Sequence, residues 1–159
     1  MRRQNLIKTA LGICAGVLLA ATVPGAAKEK STAEPVAAQA IRRVLDRQVE
    51  AWNRRDLEGF MEGYWKSSDL TFYSGGTTVS GWEETLARYR NRYQSAGNEM
   101  GKLEVLDLKI EVLGPHAAFV RGRFHLKMSS GESGGLFTLT FRRFAAGWKI
   151  IHDHTSTAS

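Results

Sequence analysis

The chain has 159 residues, with 22 lysines and arginines against 16 acids and a formal net charge of +6. Three of those cations, Arg2, Arg3 and Lys8, precede an apolar run from Ala10 to Val23 that closes on Gly25-Ala26-Ala27. This is the pattern of a secretory signal peptide, with a core too short to span a bilayer comfortably. Removing residues 1–27 from the 159 leaves 132, takes the charge from +6 to +3, and removes Cys14, the single cysteine. The mature chain then lacks a nucleic-acid footprint and any disulfide or thiolate chemistry. It reads as one exported domain, large enough for a real core and with no membrane attachment after cleavage.

Residues 28–34 read as a flexible leader. Ser31-Thr32-Ala33-Glu34 fits a capping box, and Pro35 falls in a first turn where its missing N–H costs little. Ala37, Ile41, Val44, Leu45, Val49 and Trp52 then recur at helical spacing, opposite Arg42, Arg43, Asp46, Arg47 and Glu50. The helix ends near Asn53. Asp56 caps a second, shorter helix with apolar positions at Leu57, Phe60, Met61, Tyr64 and Trp65; Gly59 and Gly63 share one side, a sign of close packing. Residues 69–74 read as a strand, Ser74-Gly75-Gly76 as a turn and Thr77 to Ser80 as the return strand. A third helix opens at Ser80, with Glu83 completing a second capping box. Trp82, Leu86, Tyr89 and Tyr93 share one side of it, and Arg88, Arg90 and Arg92 are assigned to a solvated face.

From there the periodicity changes to two. The first long β segment runs from Lys102 to Leu113, with Leu106, Leu108, Ile110 and Val112 on one face. The second runs from Ala117 to Met128, where Val120, Phe124, Leu126 and Met128 alternate with Phe119, Arg121, Arg123 and His125. A glycine-rich loop from Ser129 to Gly135 leads to Leu136–Phe144, and a turn at Ala145-Ala146-Gly147 leads to the last strand. There, strict alternation puts Trp148, Ile150, His152 and His154 on one face and Lys149, Ile151, Asp153 and Thr155 on the other. A single bulge would swap the two sets. The order of elements predicts an α+β fold, three N-terminal helices packed on a strongly curved antiparallel sheet. The aromatic residues Trp52, Tyr64, Trp65, Phe72, Tyr73, Trp82 and Tyr89 are enough to line a hollow between the layers.

Ala51-Trp52-Asn53-x-x-Asp56-Leu57, Gly81, and the closing Trp148-x-Ile150-x-His152-x-His154-x-Ser156 resemble the nuclear transport factor 2-like superfamily, in its SnoaL-like branch. The resemblance covers residues 35–156. The last motif is also similar to the end of the association domain of calcium/calmodulin-dependent protein kinase II. The resemblance implies a cone-shaped fold with a deep pocket for a small molecule, and homodimers through the outer face of the sheet. It implies no single activity, because the superfamily holds enzymes, binding proteins and assembly domains alike. Against the ketosteroid isomerase pattern, Tyr73 stands in place of the general-base aspartate, Gln48 near the first-helix tyrosine and Leu139 near the second acid, so that catalytic site is absent. Against the association domain, Arg121 matches a pocket arginine, while Leu139 and Thr155 stand at two other basic positions. The Thr155 match implies that Asp153 and Thr155 face the pocket. His152 and His154, with Trp148, then belong to a dimer interface.

The ligand-binding candidates are therefore Arg121, Tyr73, Thr155, Trp52 and Gln48, and the catalytic candidate is Asp153. A carboxyl in an apolar pocket has its pKa raised by desolvation, and a touching arginine would lower it again. His152-x-His154 has no third ligand at metal spacing, so no metal is expected. Gly131-x-x-Gly134-Gly135 lacks the strand-then-helix context of a phosphate cradle, and no cofactor is expected. Ser156 has neither a base nor an orienting acid of its own, which speaks against a serine hydrolase. The favoured reading is a pocket that binds a small, partly apolar ligand. The competing readings are an acid/base cyclase, isomerase or hydrolase using Asp153 with Arg121 and Tyr73, and a homo-oligomeric assembly module.

Overall fold

A computed structural model describes residues 33–157. The segment 1–27 expected to be a signal peptide, and Ser31 of the first capping box, lie outside the described residues. Helix α1 (Ala33–Asn53) buries Ile41, Val44, Leu45, Gln48, Ala51 and Trp52 along one stripe. It ends where the Asn53 side chain clamps Leu103: Nδ2 donates to the Leu103 carbonyl at 3.1 Å, and Oδ1 accepts from its N–H at 2.8 Å. Arg55, at φ 64°, turns the chain, and Asp56 caps α2 (Leu57–Met61) by accepting from the Gly59 N–H at 2.8 Å.

Six strands form one sheet in the order β2-β1-β6-β5-β4-β3: β1 (Thr71–Ser74), β2 (Thr77–Ser80), β3 (Lys102–Val112), β4 (Ala117–Met128), β5 (Gly131–Phe144) and β6 (Gly147–Thr157). All pairings are antiparallel except β1 with β6, which run parallel. Helix α3 (Trp82–Tyr93) lies between β2 and β3 in the chain. The core lies between the helices and the inner sheet face, with Phe141, Ile41, Leu57, Met61, Leu70, Ile150 and Val120 fully enclosed.

Four local expectations change. Helix α3 is capped at Gly81, at φ 96°, and Ser80 is the last residue of β2; the left-handed backbone there suits glycine and replaces a side-chain cap. In β3 the register slips between Leu106 and Lys109, with Asp107 at φ 52°. Leu103 and Val105 face inward before this bulge, opposite Leu126 and Phe124, whereas Leu106 pairs with Arg123 on the outer face and is 46% exposed. Strand β5 starts at Gly131, so Gly134 and Gly135 are strand residues. A Cβ on Gly135 would stand 1.8 Å from the Ser156 carbonyl oxygen, and one on Gly134 would stand 3.0 Å from that of Phe124. These glycines mark close strand approach rather than a loop.

The fourth change decides the site. Thr140 pairs with His152 but Phe141 pairs with Ile150, so Ile151 is an inserted residue in β6. Across that bulge the side-chain alternation resets. Trp148 and Ile150 point into the core, and beyond the bulge Asp153, opposite Leu139 and Phe72, points inward as well.

Candidate functional site

The space between α1, α3 and the inner sheet face is not completely filled. It holds a cavity of about 340 Å³, open to solvent on one side and walled by rings from Trp52, Phe60, Phe72, Tyr89, Phe124 and Phe137. The rings brace one another: Trp52 meets Phe60, Tyr89 and Tyr93 edge-on, with centroids 5.0, 6.0 and 4.8 Å apart. The Trp52 indole N–H donates to the Met100 carbonyl at 2.9 Å, which leaves only its apolar surface for the cavity. Such walls favour a ligand that is mostly hydrocarbon.

Asp153 is the acidic residue of this lining, and it is 3% exposed. Its Oδ2 accepts from the Tyr64 hydroxyl at 2.7 Å, while Oδ1 has no partner among the described residues. Burial raises the carboxyl's pKa to about 7, against a smaller opposing effect of the Tyr64 hydrogen bond. Tyr64 reaches Asp153 because its own segment is stitched to β6. The Ile150 N–H donates to the Gly63 carbonyl at 3.0 Å, and the Trp65 N–H donates to the Ile150 carbonyl at 2.9 Å. A Cβ on Gly63 would overlap the Gln48 side chain at 2.4 Å, so glycine is what lets α1 approach this segment. Gln48, itself buried, donates to the Phe60 carbonyl at 2.9 Å. The Tyr64 and Tyr89 phenols are pushed well above their ordinary pKa, first by burial and then by the neighbouring Asp153 charge. Both are therefore neutral hydrogen-bond donors at any physiological pH.

The chain matches the profile of the SnoaL-like domain over residues 41–159. It belongs to that family. Among solved structures this SnoaL-like chain is similar to an NTF-2 like protein of unknown function from Shewanella oneidensis MR-1. The two are 38% identical with a TM-score of 0.70, over 74% of this chain and 97% of that one. An NTF2-like protein of unknown function from Pseudomonas putida KT2440 is 20% identical, with a TM-score of 0.65, over 77% and 87% of the two chains. A nuclear transport factor 2-like superfamily protein from Salmonella enterica serovar Typhimurium LT2 is 18% identical, with a TM-score of 0.64, over 79% and 93%. The last two likenesses bear on the fold alone. No curated protein matches the chain.

In this SnoaL-like structure Asp153, Thr155, Trp52 and Gln48 line the cavity together. Arg121 does not. It lies on the outer sheet face, about half exposed, and pairs with Glu111 at 3.3 Å. The alternation of β4 puts it opposite Val120 and Leu126, so it cannot meet Asp153. Tyr73 is also on the outer face, 39% exposed, with its ring edge-on to His152 at 4.9 Å and His154 at 6.3 Å. Its strand neighbour Phe72 is the one that faces the cavity. Trp148 is a core residue, because it lies on the inward side before the bulge. His152 and His154 face outward. The Nδ1 of His152 shares a 2.6 Å hydrogen bond with the Thr71 hydroxyl, and partial burial lowers its pKa, with His154 adding to the effect. Among the described residues no three His, Cys, Asp or Glu side chains converge as a metal site, and no helix is long and apolar enough to cross a membrane.

Tyr64 lines the hollow as its aromatic character implies, but its hydrogen bond to Asp153 is not legible in the sequence, and Arg88 and Arg92, assigned there to a solvated face, sit on the cavity lining. Tyr64 and Asp153 are 89 positions apart, and no spacing links them. Arg88 and Arg92 are four apart and each precedes a lining tyrosine, which is a readable signal.

The carboxyl makes stability depend on pH. Its folded pKa of about 7 lies above the ordinary value of 3.8, so the unfolded chain releases this proton first as pH rises. Stability from this group is intact below pH ~4, falls through the interval to pH ~7 and then levels, for a total on the order of 4 kcal/mol. Asp153→Asn removes that slope. The difference in unfolding free energy between Asp153→Asn and wild type, measured by urea denaturation across this range, is expected to grow with pH and plateau above 7. A difference that stays flat would show that Asp153 titrates normally.

Proposed function

We propose that this protein takes a small, largely apolar molecule into the cavity and uses Asp153 on it as an acid/base group. The reaction class is proton transfer: isomerisation, ring closure or hydration. One observation carries the reading, the buried Asp153 carboxyl with a pKa of about 7, held by Tyr64 at one oxygen and without a partner among the described residues at the other. A structural ion pair would require a cation, and among the described residues none is paired with it. With both protonation states populated near neutral pH, the carboxylate can take a proton from a carbon acid or hydroxyl and return it to another atom of the same molecule. Tyr64 spends its proton on holding Asp153. Tyr89, kept protonated by its raised pKa and set beside the Tyr64 hydroxyl, is a second cavity phenol that can donate to an oxygen gaining charge. Arg121 and Tyr73 have no part in this reaction.

Cyclohexanone-sized ketones incubated with the protein in D2O test the idea. NMR is expected to show accelerated exchange of the protons next to the carbonyl, slowed at least ~100-fold by Asp153→Asn. Ketones that raise the melting temperature without any exchange would reduce the site to a binding pocket and sink the acid/base assignment.

The outer face supports a homodimer. Tyr73 and Leu136, the last 51% exposed, are large apolar side chains on that face near His152 and His154, and Leu106 lies on it two strands beyond Leu136. Sedimentation equilibrium is expected to give twice the chain mass, and Leu136→Glu to give the monomer; a monomeric wild type would dispose of the interface. Export rests on the N-terminal sequence pattern. The intact mass of protein from the exported fraction should correspond to a chain starting at Lys28, and recovery of the full-length chain there would contradict cleavage.

A further inference from the structure

The cavity has a polarity gradient that its floor alone does not explain. Asp153, Trp52, Phe60, Phe72 and Phe137 are the buried part of the lining, whereas Ser74, Thr77, Ser133, Thr155, Thr157 and the two arginines of α3 are half-buried or exposed. Arg88 and Arg92 are one helical turn apart, so their side chains emerge on the same side of the helix. The Arg88 guanidinium carbon stands 5.6 Å from the Phe72 ring centroid, and that of Arg92 stands 5.6 Å from the Tyr93 ring. Phe72 and Tyr93 are themselves cavity walls. Arg90, between them in sequence, is neutralised by an ion pair with Glu58. Arg88 and Arg92 make no ion pair with any carboxylate among the described residues, Glu84 one turn before Arg88 included. Two unneutralised guanidiniums therefore rest on the rim of an apolar cavity.

We propose that Arg88 and Arg92 form a clamp for a carboxylate, so that the ligand is a small apolar acid bound with its charged end outward. This deepens the acid/base reading and rests on the same cavity. An anion cannot sit on the floor, where Asp153 already carries a desolvated charge or its proton and where Tyr64 and Tyr89 offer no positive charge. At the rim, planar guanidiniums present paired N–H donors that match a carboxylate, and the stacked rings hold them in place. The clamp fixes which end of the ligand reaches Asp153. Packed at interior density, the cavity holds roughly 12 to 18 non-hydrogen atoms, the size of a phenyl- or cyclohexyl-bearing short-chain acid.

Calorimetric titration of the purified protein with 4-phenylbutanoate and with its neutral amide separates the possibilities. The acid is expected to bind roughly tenfold more tightly than the amide. Added salt should weaken the acid and leave the amide alone. Arg88→Gln with Arg92→Gln should erase the preference without changing amide affinity or the thermal midpoint. Equal affinity for acid and amide, or a preference that survives the double variant, would overturn the clamp while leaving the cavity reading in place. If neither compound binds, the cavity reading falls and the clamp falls with it. If the double variant loses the amide as well, the arginines are shaping the cavity rather than reading charge, and the clamp is again overturned.

Discussion

The site depends on one inserted residue. Ile151 breaks the two-residue rhythm of β6, and that break lets Trp148 and Ile150 join the core while Asp153 and Thr155 still face inward. Without the bulge the inward positions beyond Ile150 would be His152 and His154, and the carboxyl would lie on the outer face. The bulge sits where the neighbour of β6 changes, from the Gly63–Trp65 segment at Ile150 to β1 at His152. One side of the break brings Tyr64 to β6; the other brings the carboxyl that accepts its hydroxyl. A buried carboxyl with a single hydrogen bond opposes folding near neutral pH, and nothing in the core needs it. Local conflict of this kind, tolerated by an otherwise consistent fold, is where function is to be sought.

The helices and the order of elements were legible because their periodicity survives local irregularity. Ile41, Val44, Leu45 and Trp52 lie on the buried stripe of α1, and Asp56 caps α2. Strand faces were legible only up to the first bulge, since each inserted residue inverts every assignment beyond it. Leu106 failed for this reason in β3, and Trp148 and the histidines could not share one face of β6. Arg121 is a different case. Simple alternation against Val120 and Phe124 places it outside, whereas the resemblance to a pocket arginine implies a place inside. Where the two disagreed, the alternation was the better guide, because β4 is paired without a break to β5.

Some family marks in the sequence prove to be structural. In Ala51-Trp52-Asn53-x-x-Asp56, the indole of Trp52 is tied to Met100, the amide of Asn53 clamps both polar groups of Leu103, and Asp56 starts the next helix. All three act on backbone groups of neighbouring segments: the Met100 carbonyl, both polar groups of Leu103 in β3, and the Gly59 N–H in the first turn of α2. They fix the junction of the helical layer with the first long strand. That explains why the motif identifies the fold and says nothing about chemistry: backbone contacts constrain geometry, whereas the groups that face the cavity come from distant parts of the chain.

Strand β6 is read on both of its faces, and desolvation acts on both. On the inner face it favours the neutral carboxyl of Asp153, and on the outer face the neutral imidazole of His152. The same register pairs Phe72 with Asp153 and Thr71 with His152, so the parallel contact of β1 with β6 holds the two groups at once. Any molecule that covers the outer face around Tyr73, His152 and His154 touches the strand that carries the cavity carboxyl. It also deepens the burial of His152, which favours the neutral ring further. A shift of β6 along β1 by one residue would exchange the faces and cost the Tyr64 hydrogen bond, so the register is locked from the inside. The cavity and the outer face are thus not independent surfaces on a neutral scaffold. They are two readings of one bulged strand, and the bulge sets both.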